Sequence, residues 1–136
     1  MDTTTFTVRT GSRFQCADLT MEVADWIRGK GDGLCHVFVP HATAGVALIE
    51  TGSGTEQDVE AVLEALLPHE DGRWVHGHGS PGHGADHVLP AIVSSSVTIP
   101  VLNGRMALGT WQSIVLVDPN ANNPVRTVRV SFLASP

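Results

Sequence analysis

Six short runs rich in β-branched and apolar residues, set apart by Gly, Pro and Asn, constrain the fold of this 136-residue chain more than any other feature. They are TFTVRT (5–10), LCHVFVP (34–40), VALIE (46–50), SVTIPV (96–101), ALGTWQSIVLV (107–117) and VRTVRVSFL (125–133). Each reads as a β-strand, and the first alternates in the way of a strand buried on one face. The small residues of HATAG (41–45) let the backbone turn closely between the second and third runs. Asn103-Gly104 reads as a tight turn, and DPNANNP (118–124) as a loop.

Helical periodicity is confined to shorter stretches. Val23, Trp26 and Ile27 recur at helical spacing between Thr20, a candidate cap, and the glycines 29 and 31. Ser53 and Glu56 have capping-box spacing, and Val59, Val62, Leu63, Leu66 and Leu67 give the following helix one apolar face as far as Pro68. A third, short helix can start at Asp86 and run through HVLPAIV, with Pro90 near its first turn. Strands with two or three helices, no internal repeat and no linker predict an α+β fold in one domain, residues 1–136.

The charge balance excludes whole classes of partner. With 8 Lys and Arg against 14 Asp and Glu, a net charge of −6, no basic run and no Tyr, the chain lacks the material for phosphate-backbone binding and base stacking. No nucleic acid is expected as a partner. No apolar stretch approaches the ~20 residues of a membrane helix, and the start has no leader pattern, so the expected location is the cytoplasm, with no membrane partner. In that compartment Cys16 and Cys35 are expected as small buried hydrophobes. Only 16% of residues are charged and 42% are hydrophobic, which points to apolar surface hidden against another subunit.

The chemistry-bearing stretch is HGHGSPGHGADH (76–87), with His76, His78, His83 and His87 among glycines. Neutral imidazoles are good ligands for zinc and similar ions. Their spacing matches no zinc-finger or HExxH pattern. The His76-x-His78 pair matches the metal motif of cupin barrels, but the glutamate that should follow is missing, since Glu70 is the last in the chain. A second grouping spans the sequence: His41 at a strand end, Glu50 at the end of the next strand, Asp58 early in the amphipathic helix, and Gln112 after Trp111 in a late strand. Polar residues at element ends converge at a rim, where substrate sites form. Trp111 itself is expected in the core.

HATAGVALIE (41–50), Asp58, WVH (74–76), DHVLPAIVSSSVTIPVLNGRMALGTWQSIVLVD (86–118) and Arg126 together resemble the family named after bacterial YjbQ, also labelled secondary thiamine-phosphate synthases. The resemblance covers nearly the whole chain, with HATAG and LGTWQ in order around the two histidines. Ala42, where the family more often has Thr or Ser, and residues 94–96, where a Gly often occurs, depart from it. It implies face-to-face, sandwich-like β-sheets with flanking helices, a homotrimer, and sites near subunit boundaries. It also implies a pocket in which His41, His76 and His87 bind a divalent metal, zinc first among them, or an anion. His41, Glu50, His76 and His87 are then the expected catalytic residues, and Thr43, Gln112 and Arg126 the expected substrate contacts. The substrate expected is a small phosphorylated metabolite, in a thiamine-phosphate-synthase-like transfer; the alternative is a non-enzymatic metal- or anion-binding protein. His78 and His83 fall outside the resemblance and are expected as loop residues, and His36 and His69 as ordinary strand and surface residues.

Overall fold

The computed structural model describes residues 1–70, 72–119 and 122–136. Its strands are β1 (Asp2–Arg9), β2 (Gln15–Asp18), β3 (Gly33–Phe38), β4 (Gly45–Ile49), β5 (Ser96–Leu102), β6 (Arg105–Met106), β7 (Ser113–Asp118) and β8 (Val125–Ala134). There are three helices among the described residues, α1 (Thr20–Ile27), α2 (Thr55–Leu66) and α3 (His83–Val88), the last followed directly by a 3-10 turn, Leu89–Ala91. The strands form two antiparallel sheets, one in the order β1-β8-β3-β5-β6 and one in the order β2-β7-β4. This is the expected α+β class, with sheets facing each other and helices outside. No described helix is long and apolar enough to cross a membrane.

The central strand β7 shows how the layers are built. Ile114, Val115, Leu116 and Val117 are all at most 1% exposed, so this strand is buried on both faces. Successive side chains of a strand point to opposite sides. Ile114 and Leu116 therefore join the core shared with Val37, Ile99, Val128 and Val130 of the large sheet, which α1 completes with Val23 and Ile27. Val115 and Val117 face the other way, onto Leu63 of α2, Leu67 just beyond its end, and Ala85 and Leu89 of the α3 segment. Each such side chain contributes roughly 1.5–3 kcal/mol by leaving water. The second, smaller core thus fixes α3, and with it the histidines, against the back of the small sheet.

Several expectations need correction. Residues 107–112 are not strand: Gln112 N–H donates to Gly109 O at 3.0 Å and the Gln112 side-chain oxygen accepts from Gly109 N–H at 2.8 Å, closing a tight turn. Trp111 sits on that turn and is 74% exposed, so it is not a core residue. Thr20 is the first residue of α1, not its cap; the Asp18 carboxylate accepts its N–H at 2.9 Å. Ser53 does not cap α2 either, because Gly54 holds the cap position in a left-handed conformation. Only Glu56 fills part of its expected role, accepting from Gly52 N–H at 2.7 Å. Of the apolar face of α2, Leu63 and Leu67 are buried while Val62 and Leu66 stay more than half exposed. Strand β2 carried no sequence signal; it exists by pairing with β7. Asn103 and Gly104 make the expected turn, both at positive φ. In the expected loop 118–124, Asn120 and Ala121 lie outside the described residues.

Candidate metal centre

The histidines are gathered by two different local structures. Gly82 enters α3 at φ 82°, and His83 N–H donates to Ser80 O at 3.0 Å, so the helix starts at His83 rather than Asp86. That start puts His83 and His87 four apart on one helix face. Ahead of the helix, the Trp74 indole N–H donates to Pro68 O at 2.8 Å and pins the incoming segment. His76 and His78 follow, two residues apart, with ring centroids 4.0 Å from each other. His76 stacks on His87 at 4.1 Å, and His83 meets His87 edge-on at 4.7 Å.

His76, His78 and His87 each offer a ring nitrogen within 4.8 Å of the others, the spacing of a group that can hold one metal ion. His76 and His78 are exposed and His87 half-buried. Partial desolvation, then the neighbouring His78 and His83 rings, hold His76 below the usual histidine pKa. Desolvation and the rings of His76, His83 and His78 do the same to His87. Rings kept neutral keep their lone pairs available to a cation. His76 and His78 also line an open cavity of about 560 Å³ with Trp74, His69, Glu70 and the glycine-rich loop.

Behind the rings lies a carboxylate network. Asp86, 4% exposed, has one oxygen 2.6 Å from His69 Nε2 and the other 3.7 Å from His83 Nδ1. His69 Nδ1 is 3.2 Å from Glu64. Burial opposes charge on His69, but Asp86 and Glu64 outweigh it and hold the ring's pKa above the usual value.

The glycines are required by the packing. A Cβ on Gly84 would lie 2.7 Å from Trp74 Cβ and 3.2 Å from His76 Cβ. One on Gly82 would meet the His69 carbonyl oxygen at 2.3 Å, and Gly82 stands at positive φ besides.

The other expected site residues are placed elsewhere. The His41 Nε2 accepts from Thr127 N–H at 2.9 Å, which puts the ring proton on Nδ1 and commits the other lone pair to the backbone. Burial and then the Arg126 charge push its pKa down. Within one chain the ring group is therefore His76, His78 and His87, with His78 where the sequence reading had His41. Arg126 is 1% exposed; its Nε and Nη2 donate to Asp118 at 2.7 and 2.8 Å, and Nη2 donates to Thr43 Oγ1 at 2.9 Å. Thr10 Oγ1 donates to the same carboxylate at 2.6 Å. Arg126 and Thr43 thus belong to a buried polar network beside His41. Glu50 and Gln112 lie at the opposite end of β4, because Ile49 pairs with Ser113 while Gly45 pairs with Val117. Five strand residues separate the two groups by roughly 15 Å, at about 3.3 Å per residue. Glu50 and Asp58 are exposed. Cys16 and Cys35 are free thiols pushed up to about 11 by burial.

A sequence model of the family described as UPF0047 protein YjbQ-like matches residues 4–135. The chain belongs to this family. The UPF0047 protein Rv2556c of Mycobacterium tuberculosis is 57% identical over 133 residues, covering 98% of each chain. A UPF0047 protein of Methanothermobacter thermautotrophicus is 33% identical over 95% of this chain and 90% of its own. Among solved structures, the hypothetical protein APE1520 of Aeropyrum pernix K1 superposes with a TM-score of 0.87 at 36% identity, covering 99% of this chain and 100% of its own. A YjbQ/UPF0047 protein of Clostridium acetobutylicum gives 0.83 at 27% identity, over 96% and 99%. The YjbQ-like architecture is thus common to this chain and to relatives that share only about a quarter of its residues.

His69, His78, His83 and Asp86 are the residues sequence reasoning passed over. The His83/His87 spacing of four was the available signal, lost by starting the helix at Asp86.

Proposed function

We propose that this YjbQ-like chain is a divalent-metal-dependent enzyme acting on a small phosphorylated metabolite, with zinc as its ion. The observation that carries this reading is the set of three imidazoles, His76, His78 and His87, with ligand atoms within 4.8 Å of one another, His76 and His78 lining an open cavity. The residues fit the ion. All three are nitrogen donors of the type zinc prefers. A bound ion supplies Lewis-acid polarisation of a phosphoryl oxygen and neutralises charge on a leaving pyrophosphate. The chain's own residues hold that ion, keep its ligands neutral and shape the cavity with Trp74 and the glycine loop.

The specific reaction we propose is a thiamine-phosphate-synthase-like transfer, joining a pyrimidine pyrophosphate to a thiazole phosphate with loss of pyrophosphate. It rests on the resemblance in residues 41–50 and 86–118. A homotrimer belongs to the same reading: Trp111, Leu102 and Leu133 are more than half exposed, apolar surface that association would cover. His41, outside the three-ring group, would then serve a subunit boundary, with Thr43 and Arg126 buried behind it.

One observation favours the second reading, a metal-binding protein without turnover. Among the described residues lining the cavity none is Lys or Arg, and Glu70 is present. Metal content of protein purified without a histidine tag, followed by a screen of phosphorylated metabolites with the loaded protein, separates the two. Stoichiometric zinc with turnover of a phosphorylated substrate supports the enzyme; zinc without turnover supports the binding protein; no zinc removes both.

A further inference from the structure

We propose that His83 is a fourth imidazole ligand of this centre, with the buried carboxylate of Asp86, which His69 positions, facing its other nitrogen. The inference rests on the metal-centre reading above and extends it to residues that the three-ring group leaves out.

Its starting point is an anomaly. His83 Nδ1 is fully buried and has no hydrogen-bond partner. Buried polar atoms are rarely left so, because each costs roughly 1–3 kcal/mol of desolvation. The group facing it is the Asp86 carboxylate, whose Oδ2 stands 3.7 Å away. Asp86 Oδ1 is tied to His69 Nε2 at 2.6 Å and the side chain is 5% exposed. A carboxylate hydrogen-bonded to one imidazole nitrogen is the usual support of a metal-ligating histidine; with Oδ2 at 3.7 Å, that hydrogen bond is one that ion binding would close.

The ring's far nitrogen is the one turned toward the cluster. His83 Nε2 lies 3.1 Å from His87 Nε2. Two lone pairs at that distance repel unless a proton or a cation lies between them. Nitrogens bound tetrahedrally to one zinc at about 2.0–2.1 Å stand about 3.3 Å apart, close to the observed separation. The seat is also built in the backbone. Gly79 lies so close under the ring that a Cβ there would sit 2.5 Å from His83 Cδ2, and its φ of +86° suits glycine. His83, packed on Gly79 with its Nε2 against His87, therefore stands at the edge of the cluster, its ring centroid 5.7 and 6.1 Å from those of His76 and His78, and ion binding would draw it in.

The test uses untagged, full-length protein titrated with zinc and, separately, with cobalt(II), whose visible spectrum reports coordination. His83→Ala is expected to weaken zinc binding at least 100-fold and to change the cobalt spectrum. His83→Phe, which keeps a ring in the seat and removes both nitrogens, is expected to match it. Asp86→Asn is expected to cost about 10–100-fold, the range for a ligand's supporting partner. If His83→Phe folds as judged by circular dichroism, binds zinc within about threefold of the parent and keeps the cobalt spectrum, His83 is no ligand and the proposal falls. His76→Ala and His87→Ala separate the two levels. Loss of zinc in these alone overturns the His83 assignment and leaves the three-ring centre; retention of zinc in all variants overturns both.

Discussion

Replacing Arg126 by Ala tests whether this residue is a substrate contact or a structural cation. Its guanidinium is 1% exposed, donates twice to Asp118, itself 0% exposed, and once to the Thr43 hydroxyl. Removal takes two charge-assisted hydrogen bonds from the buried Asp118 carboxylate, to which the Thr10 hydroxyl still donates. Removing one member of such a pair costs about 3–5 kcal/mol, because the other charge stays out of water without compensation. For a domain of this size about 4 °C of Tm goes with each kcal/mol, so a fall of about 12–20 °C is expected. Thermal melting and urea unfolding at fixed protein concentration read it. The double replacement Arg126→Met with Asp118→Asn should cost much less than the two single changes added together, since it removes both charges. A fall of less than about 4 °C for Arg126→Ala, coupled to loss of anion binding, would refute the reasoning and restore Arg126 to the substrate.

Three further outcomes follow from the same geometry. His41 has its pKa lowered by burial and by Arg126, so its neutral form contributes stability that is complete above the unfolded pKa of about 6.5 and is lost as pH falls through the native value; acid titration of urea stability should lose this step in His41→Gln. Zinc affinity should hold above about pH 6.5 and drop below it, with the lowered pKa values of His76 and His87 delaying the drop, whereas phosphate binding to the same rings would strengthen on acidification. Light scattering at micromolar concentration should give three times the 14.4 kDa chain mass, and the mass of one chain would remove the trimer from the account.

How far the sequence could be read depended on whether the decisive interaction was local. The alternating and continuous apolar runs located β1, β3, β4, β5, β7 and β8, because a strand's burial is written in its own period. Strand β2, QCAD, has no such period and is held by its partner β7. The turn at 107–112 was misread because LGTWQ has the composition of a strand, while its conformation follows from the Gln112 side chain binding back to Gly109. At the site, all four histidines of 76–87 stood out in the sequence, the resemblance kept His76 and His87 and left His78 and His83 to the loop, and His69 and Asp86 carried no signal. His69 lies 17 residues from Asp86, and only the packing of α3 against α2 and β7 brings them to 2.6 Å. Of the loop glycines, Gly79 and Gly84 allow the close approach of His83, Trp74 and His76, and Gly82 that of the His69 backbone.

The central claim, that these imidazoles are a metal centre, is tested most directly by X-ray absorption at the zinc edge on untagged protein loaded with one zinc per chain. The account predicts a first shell of nitrogen at about 2.0–2.1 Å with the outer-shell scattering of at least three imidazole rings. A shell of oxygen alone, or zinc that cannot be loaded beyond a small fraction of the chains, would contradict it.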